Sequence, residues 1–594
     1  MKRKKGVHKN KRLGIVIAIL TSVFIILFAQ LFRIMIINRS FLVSQGEEQS
    51  TKELMVMPKR GSILDRNGNE LAVSADVYKV RLDLQNLDEY SIKYKKSKDI
   101  IADEISNALN LDVDNVRKSM EKKNAVGGYL RDLELARKIK KEVIDKVKQL
   151  RSDKQYYFMV IENDTNRYYP NNNFLAHALG AVDSDGSGLL GLEKYYDKDL
   201  TGVPGIKISE VDRISQELPY DDPISTQPIN GKNITLTIDA SIQFIAEKAA
   251  EKAMEDTKAK GVSIIVTDPK SGEILSMVNK PDFNPNDPRK GVKTSDELHQ
   301  LWRNWAVNDA VEPGSTFKIV TTAAALEEEL TYKDDQFYDK GYIIIDGVAI
   351  NCWKPGGHGQ ENLVDILKNS CNPGFIELGK RLGKEKLNEY INKFGFGNPV
   401  GIDLPGETSG IIKPTNKMSN VDLATISFGQ ADAASMVQLI AALNTVMNNG
   451  VYTTPHLMKS MSSVGQDGNS NVVQTYQDKN VRQVISEKTA NELAGYLEQV
   501  VSTGSAKAAY IEGYGIAGKT GTAEKANIGG KGYSEGKYVA SFVGAAPYDD
   551  PKVSLLIAID EPKGQYFGGD IAAPVAKDLF EQIFKEMSFK PVKN

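Results

Sequence analysis

An uncharged run of twenty residues near the N-terminus constrains this chain more than any other feature of its sequence. The run extends from Leu13 to Phe32 and reads LGIVIAILTSVFIILFAQLF. A helix of that length is about 30 Å long, which matches the thickness of a bilayer's hydrocarbon core. A cleavable signal peptide would have a shorter apolar core and a small-residue cleavage site, whereas bulky residues here continue through Ile37. The run therefore predicts a membrane-spanning helix.

The charges before this run predict its orientation. Seven Lys and Arg residues and no acidic residue stand among the first twelve positions, although the whole chain has a formal net charge of −2. Basic residues beside a span stay in the cytoplasm. We therefore expect residues 1–12 to form a cytoplasmic tail, residues 13–37 to form a single-pass anchor, and the rest to lie outside the cell. The acidic remainder argues against binding to nucleic acid.

The rest of the chain is too long for one hydrophobic core, so we expect several domains. Short apolar runs around the turn Asn67-Gly68 indicate a hairpin, and they predict an elongated, strand-rich pedestal over residues 38–232. From residue 233 the pattern changes to strand, Asp-capped helix and two further strands, and it ends with a hairpin and an amphipathic helix. This order predicts an α+β domain over residues 233–594, in which helices cover both faces of an antiparallel sheet.

A serine and a lysine stand three positions apart in the segment EPGSTFKIV. Proline disfavours helix before it, so a helix should begin close to Gly314. Positions i and i+3 share one face of a helix, which brings the amine of Lys318 within reach of the hydroxyl of Ser315. Taken alone, the pair is more simply a helix cap and a solvated lysine. As a general base, the lysine would need its pKa lowered by about 3 units from about 10.4, through burial, a helix N-terminus and a second cation.

The segment YGIAGKTGTAEK supplies such a cation in Lys519. It reads as a strand, in which Gly521 would let a substrate backbone lie against the strand edge. The hydroxyls of Thr520 and Thr522, together with the amine, would hold a carboxylate. An isolated K-T-G sequence is otherwise an ordinary glycine-containing turn.

A third short motif lies between these two, in the segment LKNSCNPGF. The hydroxyl of Ser370 and the amide of Asn372 stand two positions apart and can face one cleft, where they would relay a proton and hold a peptide group. The chain has five histidines and no G-x-S-x-G elbow, so a Ser-His-Asp hydrolase is poorly supported. Lysine is then the available base.

These three motifs, S-x-x-K at residues 315–318, S-x-N at residues 370–372 and K-T-G at residues 519–521, together resemble the motif set of the penicillin-binding proteins. The anchor and pedestal narrow the resemblance to class B, the monofunctional transpeptidases. The segments RGSILDRNG, at residues 60–68, and GLLGLEKYYDKDLTG, at residues 188–202, are similar to signatures of that class. The resemblance covers nearly the whole chain after the span.

What the resemblance implies is D,D-transpeptidation of peptidoglycan stem peptides at a bacterial cell membrane. Ser315 would attack the penultimate D-alanine of a donor stem, with Lys318 as general base and Ser370 as proton relay. An amine from a neighbouring stem would then take the acyl group, and β-lactams would acylate the serine as substrate mimics. The reaction requires no cofactor, and a membrane glycosyltransferase is the implied partner.

The resemblance also implies which groups bind the donor stem. Asn372 would bind its amide, and the terminal carboxylate would be held by Lys519, Thr520 and Thr522. The oxyanion hole would consist of the backbone N–H groups of Ser315 and Thr522. Each such donor contributes about 3 to 4 kcal/mol to catalysis.

One loop departs from the family pattern. Where a G-Q-G sequence and then Thr-Pro are usual, this chain reads SFGQADAASMVQ. Ala431 and Asp432 replace the glycine and its neighbour, and Ser435-Met436 replaces Thr-Pro. We expect the local loop geometry to differ there.

The two cysteines fall in a C-x5-H-x12-C pattern formed by Cys352, His358 and Cys371. Three interpretations are open: a disulfide, two small buried apolar residues, or a structural zinc site. Zinc ranks slightly first because a histidine so placed contributes nothing to a disulfide. A metal needs a fourth ligand, for which Asp432 is the candidate.

Two other functions fit the same motifs. The acyl group can pass to water, which would make the protein a membrane-anchored β-lactamase or carboxypeptidase. A non-catalytic scaffold or drug sensor of the same fold is the other alternative, although the intact motifs oppose it.

Overall fold

The computed structural model describes residues 6–42, 51–125, 127–210, 224–465, 469–527 and 532–591. The chain divides into two compact units. The first unit comprises Met1–Pro58, Lys79–Glu162 and Val203–Ile229. The second unit comprises Lys59–Tyr78, Asn163–Gly202 and Asn230–Asn594. The predicted pedestal over residues 38–232 is therefore shared between two units.

The helices of the described residues are mostly short and lie between strands. In chain order they are α1 Gly6–Phe32, α2 Leu84–Tyr94, α3 Lys98–Leu109, α4 Val113–Met120, α5 Lys141–Lys154, α6 Ala176–Leu179, α7 Gly191–Tyr195, α8 Asp197–Thr201, α9 Ala240–Thr257, α10 Ser295–Trp302, α11 Trp305–Asn308, α12 Lys318–Glu327, α13 Leu363–Lys368, α14 Asn372–Lys393, α15 Asn420–Ile426, α16 Met436–Met447, α17 Glu487–Ser502 and α18 Gly568–Glu586. Single 3-10 turns cover Gly314–Phe317, Thr415–Lys417 and Lys507–Ala509.

The strands form several sheets. In chain order they are β1 Thr51–Val56, β2 Ile63–Leu64, β3 Glu70–Leu82, β4 Leu133–Ile139, β5 Met159–Tyr168, β6 Gly205–Glu210, β7 Ile224–Thr226, β8 Asn233–Leu236, β9 Gly261–Thr267, β10 Ile274–Lys280, β11 Phe337–Asp339, β12 Tyr342–Ile345, β13 Val348–Asn351, β14 Gly359–Glu361, β15 Val451–Tyr452, β16 Met458–Val464, β17 Ser470–Thr475, β18 Arg482–Gln483, β19 Ala517–Ala526, β20 Tyr533–Ala546 and β21 Val553–Asp560.

Helix α1 has the length and polarity predicted for a membrane span. The most apolar 18-residue window within Lys11–Ile37 has a mean hydropathy of 2.7, and none of that window is buried. The helix continues past Phe32 as a π-helical segment, Arg33–Ile37, so its apolar surface reaches the end of the predicted anchor. Among the described residues it is the one helix long and apolar enough to cross a membrane. The first five residues of the predicted basic tail lie outside the described residues.

The first unit combines a small sheet with amphipathic helices. Strand β6 lies between β1 and β7 and is antiparallel to both. Helices α2, α3 and α4 each follow an Asp or Ser whose side chain accepts a backbone N–H, as N-caps do. The Lys-rich helix α5 buries only Ile144 and Val147, which agrees with a solvated charged face.

The second unit is built on a five-stranded antiparallel sheet in the order β10-β9-β21-β20-β19. Every residue of β9 and β21 is buried, so both faces of these central strands are covered. Helix α9 packs on β9, β10 and α18, and helix α16 packs on β20 and β21. The predicted antiparallel sheet with helices on both faces is confirmed.

The two pedestal signatures meet within the second unit at a buried ion cluster. Arg60 Nε lies 2.7 Å from Glu193 Oε2, and Arg167 Nε lies 2.6 Å from Glu193 Oε1. Glu193 is fully buried, so its charge is balanced by the two guanidinium groups rather than by water. Strand β2 also pairs in parallel with β8. The predicted boundary at residue 233 coincides with the first residue of β8.

Candidate active site

Ser315 lies on a single 3-10 turn that leads directly into helix α12. The turn covers Gly314–Phe317, and Lys318 is the first residue of the helix, which agrees with the predicted helix start. Gly314 has a φ of 55°, a left-handed conformation that glycine adopts without strain. A Cβ at this glycine would approach Thr522 O to 3.3 Å, so the turn lies against strand β19.

Lys318 is fully buried and makes three hydrogen bonds. Its Nζ donates to Ser370 O at 2.8 Å, to Ser370 Oγ at 3.0 Å and to Asn372 Oδ1 at 2.8 Å. Burial lowers the pKa of Lys318 from 10.5 to about 7, because an ammonium group away from water loses its hydration. Near neutral pH this amine can both take up and release a proton, as a general base must.

The hydroxyl of Ser315 connects to Lys318 through Ser370. Ser370 Oγ lies 2.9 Å from Ser315 Oγ and 3.0 Å from Lys318 Nζ. A hydroxyl both donates and accepts, so Ser370 can pass a proton in either direction along this chain. The i, i+3 spacing predicted direct contact between Lys318 and Ser315. In the structure the hydroxyl of Ser370 lies between them.

The local fold around Ser370 explains how one loop presents a hydroxyl to the lysine. Helix α13 ends in a Schellman motif, in which Cys371 N–H donates to Ile366 O and Ser370 N–H donates to Leu367 O. Ser370 occupies the position that usually carries glycine and has a φ of 54°. Left-handed backbone costs an ordinary residue about 1 to 2 kcal/mol. The hydrogen bonds of its carbonyl and hydroxyl with the buried lysine offset that cost.

Lys519 lies on β19, opposite Val543 of β20, and is fully buried. Burial lowers the pKa of Lys519 well below its ordinary value, and repulsion by Lys318 lowers it further. The sequence predicted that burial, a helix N-terminus and the charge of Lys519 together lower the pKa of Lys318. Burial is the largest cause of the lowered pKa in both lysines, and protonation of one buried amine opposes protonation of the other.

The K-T-G strand approaches the nucleophile turn closely at Gly521. A Cβ at this position would lie 2.4 Å from Ser541 Oγ and 3.0 Å from Thr316 Cγ2. The glycine is therefore required by packing inside the protein, whereas we had expected it to accommodate a substrate backbone. Thr520 is buried, and Thr522 Oγ1 accepts a hydrogen bond from the first N–H of helix α18 at 3.0 Å.

A second cluster includes Cys371, the middle residue of the S-x-N motif. Four side chains place one ligand atom each within 4.8 Å of one another, namely Asp339, Cys352, His358 and Cys371. His358 Nδ1 lies 2.9 Å from Asp339 Oδ2 and 3.5 Å from Cys352 Sγ. Cys371 Sγ donates to Asp339 Oδ2 at 3.4 Å. Both cysteines are free thiols, so the cluster contains no disulfide.

The sequence did not predict Asp339, and the predicted fourth residue, Asp432, is not part of the cluster. Pairing of β11 with β14 sets Asp339 opposite Gly359, next to His358, and residue spacing carries no signal for that pairing. Burial acts to raise the pKa of Asp339, but hydrogen bonds from a thiol, a backbone N–H and the imidazole lower it to about 2. Asp432 Oδ1 instead accepts from Lys413 N–H at 2.9 Å.

The loop that departs from the family pattern has its own geometry. Ala431 has a φ of 74°, in the region that favours glycine. Its N–H donates to the carboxylate of Glu312 at 3.1 Å. Glu312 was not among the site residues predicted from the sequence. Ser435 caps helix α16 through a reciprocal capping box with Gln438. Ser435 is therefore the N-cap of helix α16 at the position where the family pattern has the Thr of Thr-Pro.

Two family descriptions match the chain. “Penicillin binding protein transpeptidase domain” covers residues 262–581, which include all three short motifs. “Penicillin-binding Protein dimerisation domain” covers residues 55–236.

Individual relatives match over nearly the full length. The chain is 38% identical to Stage V sporulation protein D of Bacillus subtilis, over 100% of this chain and 88% of that protein. It is 29% identical to Peptidoglycan D,D-transpeptidase FtsI of Escherichia coli, over 94% of this chain and 88% of that protein. Among solved structures, Penicillin binding protein 3 of Mycobacterium tuberculosis is 25% identical, has a TM-score of 0.66, and aligns over 91% of this chain and 98% of that one.

Proposed function

The chain belongs to the class B penicillin-binding proteins, and from this premise we propose that it is a serine D,D-transpeptidase that cross-links peptidoglycan stem peptides through an acyl-enzyme on Ser315. One observation carries the proposal. Lys318 Nζ, Ser370 Oγ and Ser315 Oγ form a continuous chain with separations of 3.0 and 2.9 Å. A nucleophilic serine needs an adjacent base, and a buried amine with a pKa of about 7 is suited to that role.

Acylation begins with the neutral amine of Lys318. Ser315 Oγ attacks the carbonyl carbon of the penultimate D-alanine, while its proton passes through Ser370 to the amine. The backbone N–H groups of Ser315 and Thr522 bind the oxyanion that forms. Collapse of this intermediate breaks the C–N bond to the terminal D-alanine, whose nitrogen takes the proton from the ammonium group as it leaves.

Deacylation repeats the proton transfers with an acceptor amine. The amine attacks the ester carbonyl, its proton passes to Lys318, and the C–O bond to Ser315 breaks. The serine recovers its hydroxyl proton and a new peptide bond joins two stems. No cofactor takes part in either half of this reaction.

The donor stem would bind beside β19. This strand ends the order of its sheet, so within the described part of the chain its second edge has no paired strand and is available to an extended peptide. Asn372 would bind the donor amide through Nδ2, because its Oδ1 accepts from Lys318. The terminal carboxylate would be held by Lys519, Thr520 and Thr522.

Labelling with a fluorescent penicillin tests the nucleophile. The full-length wild type should gain one covalent adduct, located on Ser315 by peptide mass analysis, and Ser315→Ala should gain none. Ser241→Ala, which removes an exposed hydroxyl on helix α9, is the matched control and should label like the wild type. Undiminished labelling of a folded Ser315→Ala protein would refute the proposal.

The fate of the acyl group separates the alternatives. Fast turnover of a chromogenic β-lactam would favour a β-lactamase or carboxypeptidase, whereas a transpeptidase should release it slowly. Cell growth supported by Ser315→Ala would favour a non-catalytic scaffold or drug sensor.

Helix α1 would anchor the enzyme, with the basic N-terminus in the cytoplasm and both units outside. A membrane glycosyltransferase that polymerises the glycan strands is the proposed partner. Protease added to intact protoplasts should then digest both units, and full protection of the catalytic unit would contradict this orientation.

We also propose that Asp339, Cys352, His358 and Cys371 hold a structural zinc ion. Two thiols, an imidazole and a carboxylate are donors that zinc accepts, and four protein ligands typify a structural site. Three of the four residues are buried and the fourth is partly buried. The two neighbouring thiols shift each other's pKa in opposite directions, lowering that of Cys352 and raising that of Cys371, so Cys352 is the first to supply the thiolate that a metal requires. Zinc would fix the S-x-N loop by its middle residue.

Metal analysis of protein purified without chelators tests this site. We expect one zinc per chain, with a marked loss of zinc and of thermal stability in Asp339→Asn and His358→Ala. Asp432→Asn is the matched control and should keep its zinc. A chain without zinc would refute the proposal, and a mass lower by two hydrogens would then identify a disulfide.

A further inference from the structure

Glu312 lies three residues before Ser315 and connects three parts of the active site. Its segment runs beside the loop that departs from the family pattern, since Gly314 N–H donates to Gly429 O at 2.9 Å. Glu312 Oε1 accepts from Ala431 N–H at 3.1 Å and from Tyr533 Oη–H at 3.2 Å. The first of these donors is in that loop and the second is the first residue of β20.

The other oxygen of this carboxylate is unsatisfied. Glu312 Oε2 is buried and has no hydrogen-bond partner among the described residues. Buried carboxylate oxygens are nearly always paired with a donor or a cation, because they have lost the hydrogen bonds of water. Among the described residues both donors are bonded to Oε1, so within this part of the chain Oε2 is left available to a bound group.

The charges around Glu312 select a cation for that position. Burial raises the pKa of Glu312 to about 7, and repulsion by Glu524, two residues after Thr522 on β19, and by Asp432 adds to this rise. Tyr533, which also contacts this carboxylate, is a neutral hydroxyl donor. A positively charged group that bound here would be attracted by Glu312 and Glu524 together.

This position lies close to the turn that carries Ser315. A Cβ on Gly314 would come within 3.3 Å of Ala523 Cβ, so the turn that carries Ser315 packs against the part of β19 between Thr522 and Glu524. A ligand acylated on Ser315 and extended along the edge of β19 would therefore pass near Glu312 and Glu524.

We propose that Glu312, assisted by Glu524, binds a primary ammonium group of a stem peptide. The proposal rests on the transpeptidase function proposed above and specifies its substrate. The ammonium group would donate a hydrogen bond to Glu312 Oε2. It belongs either to a side-chain amine of the donor stem or to the acceptor amine before it loses its proton, and the two sources give different kinetics.

The test uses the full-length protein with paired peptides. For the donor arm, release of D-alanine is measured from diacetylated and monoacetylated Lys-D-Ala-D-Ala peptides, which differ only in a free side-chain ammonium group. For the acceptor arm, an N-benzoyl-D-alanyl thioester that lacks any amine acylates the enzyme, and the yield of aminolysis by a lysine-containing acceptor peptide is measured. Acylation by benzylpenicillin, measured for every variant, reports the state of Ser315 itself.

Glu312→Gln is the main variant, because its carbonyl oxygen can still accept from Ala431 and Tyr533 while its NH2 group repels an ammonium. The wild type should prefer the free amine about tenfold or more in one arm, as expected for a charge-assisted hydrogen bond, and Glu312→Gln should abolish that preference. Glu524→Gln leaves both hydrogen bonds of Glu312 intact and should reduce the preference for the free amine. It provides an independent test if Glu312→Gln does not fold. Glu586→Gln, at an exposed position, should behave like the wild type.

A preference confined to the donor arm would assign the ammonium to the donor stem, and one confined to the acceptor arm would assign it to the acceptor. Two results would overturn this inference, provided that penicillin still acylates Ser315. One is a wild type with no preference for the free amine in either arm, and the other is a Glu312→Gln variant that retains the wild-type preference. Absence of penicillin acylation in the wild type would overturn the transpeptidase proposal as well.

Discussion

The burial of Lys318 predicts a specific pH dependence for acylation. With a pKa of about 7 the amine is about one tenth neutral at pH 6 and about nine tenths neutral at pH 8. A lysine with its ordinary pKa would be only roughly 0.03% neutral at pH 7. Because only the neutral amine can take the serine proton, the second-order rate constant for acylation by benzylpenicillin should rise about tenfold from pH 6 to pH 8 and then level off. Stopped-flow measurement of acyl-enzyme formation across this range checks the prediction.

Lys519→Met separates the two possible causes of the shift. If burial sets the pKa of Lys318, loss of the neighbouring amine should move the midpoint of the profile by less than about 1 unit, whatever happens to the absolute rate. If the charge at position 519 supplied the shift, the midpoint should move towards 10.5. A wild-type profile that is flat between pH 6 and pH 8 and rises only above pH 9 would refute the reasoning for Lys318 as a base.

Three further predictions concern packing around the site and in the pedestal. Ala431→Gly relieves a left-handed backbone and should raise the free energy of unfolding in urea by about 1 kcal/mol; an unchanged value would show that no strain is present. Gly521→Ala places a methyl group 2.4 Å from Ser541 Oγ and should slow penicillin acylation at least about tenfold by displacing β19, with partial recovery when Ser541→Ala is added. Glu193→Gln leaves two buried guanidinium groups around an uncharged partner and should destabilise the protein by about 3 to 5 kcal/mol in thermal or chemical unfolding. Asp76→Asn, at an exposed ion pair, should change stability by less than about 1 kcal/mol, and equal effects of the two changes would contradict the argument from burial.

Several features of this protein depend on residues that are close together in the chain, and these were predictable. The apolar run of α1, the cap at Asp239 before α9, and the helix that starts at the Pro-Gly pair before Ser315 are examples. Apolar length, capping and helical periodicity are properties of a local segment, so they can be recognised without knowing what packs against it. The alternation of strands and helices likewise predicted the layered catalytic unit.

The active-site network required the tertiary structure. Ser370 stands between Ser315 and Lys318 in space because a Schellman motif turns its loop towards a helix that lies about fifty residues earlier in the chain. Likewise, strand pairing rather than sequence spacing brings Asp339 to the cysteines, and it leaves Asp432 elsewhere.

What the sequence determined by itself is which chemical groups are present and on which local elements they stand. Only the tertiary structure decided which of them lose water, and this sets the pKa of Lys318 and leaves one oxygen of Glu312 without a partner. The physical reason is that desolvation depends on how segments distant in the chain exclude solvent from one another. The spacing of residues along the chain does not predict which segments will pack together in this way.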